Sequence, residues 1–159
     1  MLQFNIRQAA FPADTELVRR MFRDYQADID VDLCFQSFEE ELAGLPGKYQ
    51  AVLIAEGGCV ALRPFGPGTV EMKRLFVYPA WRGKGLGKAL VEVAIDESIA
   101  LGYRSMRLDT IQSKMPSAVA LYHALGFEEL PARGGTSGPE LLDMELDLVR
   151  FAAEDRKSN

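Results

Sequence analysis

Three glycines and three cations fall within seven residues, Arg82-Gly83-Lys84-Gly85-Leu86-Gly87-Lys88, and this stretch constrains the chain more than any other. It follows a strand-like run, Val70 to Val77, and a break at Pro79, and it leads into a helix-like run, Ala89 to Leu101. Glycines leave backbone N–H groups uncovered. The first N–H groups of a helix lack internal partners and carry the positive end of its dipole. A strand, a glycine-rich turn and a helix start together predict a cradle for phosphate. A tight turn that merely needs glycines has the same composition. Two nucleotide loops fail on register. For G-x-G-x-x-G, the third glycine position is Lys88 counted from Gly83 and Leu90 counted from Gly85. A Walker loop would need a hydroxyl where Ala89 stands and a glycine where Arg82 stands.

The rest of the chain reads as strands and helices of one domain. At 159 residues it is long enough for a sizeable core. Phe4 to Arg7 is a first strand, and Asp14 caps a helix running to about Asp28. Ser37 opens a short helix to Leu42 with Glu40 at the capping-box position. Ala51–Ala55 and Cys59–Arg63 flank a tight turn, and Thr69–Val77 leads to the glycine stretch. Ser105–Thr110 follows the long helix, so strand, helix and strand imply a parallel crossover. Pro116 opens another helix, which Gly126 closes. Phe127–Leu130 and Leu141–Leu148 are the last strands. We expect a single domain over residues 1–150 and a polar, frayed tail over 151–159.

Charge and cysteine usage exclude several classes. The net charge of −5 argues against a broad nucleic-acid surface, which needs clustered cations. Two cysteines are too few for a disulfide framework. The chain has neither a secretory leader pattern nor an apolar run near the ~18 residues of a membrane span. These features predict a cytoplasmic protein with no membrane partner. No residue pattern suggests a metal site. Glu39, Glu40 and Glu41 read as a solvated face, or more weakly as an attractor for a cationic acceptor.

The spacing that does fit the glycine stretch is R-x-x-G-x-G, carried by Arg82, Gly85 and Gly87. It resembles the pyrophosphate signature of the GCN5-related N-acetyltransferases, the GNAT family. Glu71 to Pro79 is similar to that family's central strand, and Ala118 to Phe127 to its A-x-x-L-Y-x-x-x-G-F helix. The resemblance covers nearly the whole chain. It implies an α/β (α+β) fold with a mixed central sheet of about seven strands, splayed at the cofactor site, and about four helices. It implies an acetyl-CoA-dependent N-acetyltransferase acting on a primary amine by direct transfer in a ternary complex. The alternative is a GNAT-fold module that binds acetyl-CoA or CoA without turnover. The acceptor stays open among small-molecule amines, polyamines, peptide N-termini and protein lysines. A homodimer is common in this fold.

The resemblance also assigns roles. Leu75, Phe76 and Val77 occupy the strand end whose backbone faces acetyl-pantetheine, though ordinary core residues there look the same. Arg82, Gly83, Lys84, Gly85, Leu86, Gly87 and Lys88 would bind the pyrophosphate mainly through backbone N–H groups. Glu71 matches the general base, acting directly or through water; the alternative is a surface glutamate pairing with Lys73. Tyr122 matches the tyrosine that protonates the departing thiolate, or else packs as a structural ring. His123, its helix neighbour, points about 100° away and is given no role. Cys59 reads as core and Cys34 has no assignment.

Overall fold

The computed structural model describes residues 4–29, 37–111, 115–131 and 141–157. Cys34 and the stretch 132–139, part of the loop expected on the acceptor side, lie outside them. Among the described residues there are seven strands and five α-helices: β1 (Arg7–Gln8), α1 (Thr15–Ile29), α2 (Phe38–Ala43), β2 (Ala51–Ala55), β3 (Gly58–Gly66), β4 (Thr69–Val77), α3 (Leu86–Ala100), β5 (Ser105–Ile111), α4 (Pro116–Leu125), β6 (Glu128–Glu129), β7 (Leu141–Asp147) and α5 (Leu148–Lys157). A single sheet carries the strands in the order β1-β2-β3-β4-β5-β7-β6. β4 runs parallel to β5, with Thr69, Val70 and Glu71 opposite Ser105, Met106 and Arg107. The other registers described, β1 with β2, β2 with β3, and β7 with both β5 and β6, are antiparallel. The expected mixed α+β fold is therefore present.

The chain divides into two compact units. The first is Met1–Pro64 with Lys73–Ala94, and the second is Phe65–Met72 with Ile95–Asn159. In the first, β2 is buried along four consecutive residues, so both its faces are covered. Val18 and Phe22 of α1, Val52 to Ile54, Val60 to Leu62, and Leu86, Leu90 and Val91 of α3 form this core. In the second unit β5 alternates, with Met106, Leu108 and Thr110 inward, and Met144, Leu146 and Leu148 are buried. α3 buries residues all round except for a strip with Glu92 and Asp96, as its pattern predicts.

Four local expectations are corrected. Ser37 makes no side-chain cap; it sits in the left-handed region at φ 58, so the capping-box reading of Ser37 and Glu40 fails. β3 runs on through Pro64 to Gly66, which leaves only Pro67 and Gly68 in the turn. β1 is confined to Arg7–Gln8 rather than Phe4–Arg7, because only Arg7 and Gln8 pair with β2. The tail is helical as far as Lys157. Leu148, Phe151 and Ala152 at i, i+3 and i+4 make one apolar stripe, and α5 follows β7 without a break.

Candidate active site

The glycine stretch belongs to the first unit and links β4 to α3. A 3₁₀ turn, Pro79–Trp81, ends β4, and Arg82 is extended. Gly83 and Gly85 have φ of 76° and 91°, in a region that side chains disfavour, and an added Cβ at either would meet no protein atom within 4 Å. Leu86 is buried and anchors the helix start. Ala89 N–H donates to the Gly85 carbonyl at 3.0 Å, which makes Gly85 the boundary residue of α3. The N–H groups of Leu86, Gly87 and Lys88 therefore lie in the first helical turn, where the helix supplies no acceptor. Lys84 and Lys88 are exposed, and the Lys84 ammonium lies 5.9 Å from the centre of the Trp81 ring. The loop is open where Gly83 and Gly85 stand and carries exposed lysines, a combination that suits an anion.

Arg82 is held differently from Lys84. Its Nε donates to the Val77 carbonyl at 2.9 Å, and its Nη2 donates to Asp28 Oδ2 at 2.8 Å. One turn earlier on α1, Asp24 accepts from the Tyr78 hydroxyl at 2.6 Å. Burial and this carboxylate both push the Tyr78 phenol pKa up. So Asp24 and Asp28 tie α1 to both sides of the β4–α3 connection. Their four-residue spacing places both on one helix face, which is the signal of this pairing that the sequence carries.

The turn joining β2 to β3 closes on the same connection. An added Cβ at Gly58 would stand 2.3 Å from the Phe76 carbonyl oxygen, and one at Gly57 would stand 2.4 Å from the Trp81 ring. Tyr78 N–H donates to the Gly57 carbonyl at 2.8 Å. The strands pair up to Ala55 and Gly58.

Along β4, Leu75 and Val77 are half-buried, while Phe76 is buried and packs edge-on against Tyr25 and Tyr78, with ring centres 6.2 and 4.8 Å away. The residue before Leu75 is the surprise. Arg74 is buried and has φ of 60°, left-handed backbone inside a strand. A non-glycine residue held there costs about 1–2 kcal/mol. Its guanidinium makes a two-point pair with Glu41 of α2, Nε to Oε2 at 3.1 Å and Nη2 to Oε1 at 2.9 Å. It also lies 5.3 Å from the Phe38 ring centre and 5.8 Å from that of Tyr25. Burial lowers the Arg74 pKa, but Glu41, Tyr49 and Tyr25 together outweigh it and the net shift is upward. Nothing in the sequence announces a buried, left-handed arginine.

The two residues assigned to proton transfer lie in the second unit. Glu71 is buried in β4 opposite Arg107 of β5. Tyr122 is buried in α4, its ring 5.5 Å from that of Phe127. Phe127 N–H donates to the Tyr122 carbonyl at 3.0 Å beyond the left-handed Gly126, so the end of the helix orients both rings. His123 is exposed and meets Glu129 at 2.9 Å, turned away from the buried side as expected. Among the described residues no group of three or more His, Cys, Asp or Glu is placed to hold a metal. No described helix is long and apolar enough to cross a membrane.

The family profile described as the acetyltransferase (GNAT) family matches residues 9–127. The chain belongs to this family. It is a GNAT acetyltransferase by that match and by its relatives. An uncharacterized N-acetyltransferase of Schizosaccharomyces pombe is 37% identical over 157 residues, covering 92% of this chain and 96% of that protein. An acetyltransferase of the GNAT family from Staphylococcus aureus superposes with a TM-score of 0.74 at 18% identity, over 92% of this chain and 99% of the other. YncA of Salmonella typhimurium, solved with its cofactor acetyl-CoA, superposes with a TM-score of 0.65 at 27% identity, over 92% and 95%.

In this GNAT enzyme Cys59 is core, as expected. It is fully buried and its thiol donates to the Arg74 carbonyl at 3.5 Å. Burial pushes its pKa up to about 12. The unfolded thiol ionises near 8.5, so the protonated form favours the fold. That contribution is fully present below about pH 8.5 and is lost as pH rises toward 12. The stability advantage of wild type over Cys59→Ala should therefore shrink by roughly 2 kcal/mol between pH 8 and 10.5. Urea titrations of both proteins at the two pH values read this directly, and an unchanged difference would contradict it.

Proposed function

We propose that the protein moves an acetyl group from acetyl-CoA to a primary amine by direct transfer in a ternary complex, in a cytosolic setting. The observation that carries this reading is the Gly83–Gly85 loop, open and left-handed at the start of α3. It fits a pyrophosphate. Gly83, Gly85 and the first N–H groups of α3 would hold the two phosphates, with Lys84 and Lys88 adding charge. Arg82 would serve by bracing the Val77 carbonyl and Asp28. Leu75, Phe76 and Val77 would present backbone to the pantetheine arm, and the Leu75 N–H would polarise the thioester carbonyl.

The acceptor amine must arrive neutral. An alkylamine with a pKa near 10.4 is about one part in a few thousand neutral at pH 7, a penalty on the order of 4–5 kcal/mol. A positioned base contributes ~10²–10⁴-fold. Glu71 is the proposed base, directly or through water. Its burial in β4 fits a protected carboxylate better than the surface pairing with Lys73. Tyr122 would give its phenolic proton to the departing thiolate.

The test is a panel of primary amines (amino acids, polyamines, aminoglycosides, a lysine peptide) incubated with acetyl-CoA, reading free CoA thiol. We expect at least one amine class to raise thiol release well above the rate with acetyl-CoA alone. Calorimetry should show acetyl-CoA binding and no ATP binding. ATP binding without CoA binding would overturn the cofactor. CoA binding with no amine acetylated would favour a binding module.

A further inference from the structure

The peptide plane that carries the Leu75 N–H is set by the backbone of Arg74. In an extended strand φ is near −120°. Arg74 stands at φ 60, so the backbone on the two sides of its N–Cα bond is turned by roughly half a turn from the strand geometry, as a bulge re-aims one group of a strand. Its side chain shows what holds it. The side chain is only 4% exposed, and Glu41 meets its guanidinium at two points. Phe38 and Tyr25 flank the same group. Phe38, Glu41, Tyr25 and Arg74 all belong to the first unit. A buried guanidinium without its carboxylate is strongly unfavourable and leaves for water. Release of the guanidinium removes the contacts that accompany this φ. Glu41 therefore bears on the backbone one position before the proposed oxyanion donor. The sequence reading placed Glu41 on a solvated face; the structure turns it inward while Glu39 and Glu40 stay exposed.

We infer that Glu41 is a positioning residue for acetyl transfer: by pinning Arg74 it holds the left-handed turn in β4 that aims the Leu75 N–H at the thioester carbonyl. This rests on the reading that acetyl-CoA lies along β4. Glu41 touches no reacting atom and acts only through Arg74.

The experiment uses acetyl-CoA labelled with ¹³C at the thioester carbonyl and isotope-edited infrared difference spectra of the bound form. In wild type the carbonyl stretch should move to lower frequency than in free acetyl-CoA. In Glu41→Gln the acetyl-CoA Kd should stay within about threefold, because the glycine loop is untouched, while the carbonyl shift falls by at least about half. With any amine the wild type acetylates, kcat should fall about tenfold and the KM for acetyl-CoA should change less than about threefold. Arg74→Gly accepts the same φ without strain but loses the pin. It should lose the carbonyl shift too, and adding Glu41→Gln to it should change kcat by less than about twofold. A carbonyl shift retained in Glu41→Gln, or effects of the two substitutions that multiply, would overturn the inference. If Glu41→Gln does not fold, Arg74→Gly carries the same comparison, and a retained shift there overturns it equally. Wild type that binds no acetyl-CoA would instead bring down the proposed function itself. Wild type that binds it without a carbonyl shift would bring down the positioning role alone.

Discussion

Gly85→Val is expected to weaken acetyl-CoA binding by about 10²–10³-fold while the protein stays folded. Gly85 has φ of 91°, and a β-branched residue there is strained by on the order of 1–3 kcal/mol. No protein atom lies within 4 Å of the added Cβ, so the new side chain breaks no packing. The backbone relieves the strain by rotating Gly85 out of the left-handed region. That rotation moves the N–H groups at the start of α3, because the Gly85 carbonyl accepts the helix's first bond from Ala89. A hydrogen bond to a charged group is worth about 1.5–3 kcal/mol. Losing two of them costs roughly 3–6 kcal/mol at most; the lower half of that range is a factor of about 10²–10³. Gly66→Val is the control. It also meets nothing within 4 Å, and its φ lies outside the left-handed region. It should leave binding unchanged within about twofold. Calorimetry with acetyl-CoA decides. Binding by Gly85→Val within threefold of wild type would remove the loop from the cofactor site.

The parts of this enzyme that were legible in the sequence are those where backbone chemistry fixes residue type. Left-handed turns at Gly83 and Gly85, the closing Gly126 and the alternation of β5 all need particular residues and so leave a pattern. Side-chain direction leaves none. Glu39, Glu40 and Glu41 are consecutive and look alike, yet at 100° per residue only one turns inward, and which one depends on where α2 packs. Arg82 stands at the expected spacing, but its fork is tied to Val77 and Asp28. Arg74 defeats local reasoning altogether. A strand propensity argument places it in extended backbone, whereas it stands at φ 60 with its guanidinium paired to Glu41 far away in sequence. α5 failed for another reason. Its stripe of Leu148, Phe151 and Ala152 is legible at helical spacing, but the polar residues after it read as a frayed tail. Where the local rule breaks at Arg74, the break falls beside the proposed chemistry, which is where such departures are expected.

Tyr122→Phe should lower kcat for amine acetylation by about 10²–10⁴-fold and leave the acetyl-CoA Kd within about threefold. The substitution removes one oxygen and keeps the ring. Packing against Phe127 at 5.5 Å is retained, as is the Phe127 N–H bond to the backbone carbonyl of residue 122. Loss of the hydroxyl costs stability on the order of 0.5–1.5 kcal/mol, a shift of a few degrees in Tm. Tyr122→Ala separates packing from chemistry, because emptying a site only 4% exposed should cost about 3–5 kcal/mol and lower Tm far more. The two variants therefore order oppositely to a purely structural tyrosine. If Tyr122 only packs, Phe should turn over like wild type and only Ala should fail. If it supplies the proton, both lose turnover and Ala alone takes the large loss of stability. The leaving group gives a further discrimination. A thiolate of low pKa needs little protonation, so an acetyl thioester of an acidic thiophenol should recover much of the lost rate in Tyr122→Phe. Recovery would place the defect at the departing sulfur. An equal loss with both donors would place it at the amine, and the role of acid would pass from Tyr122.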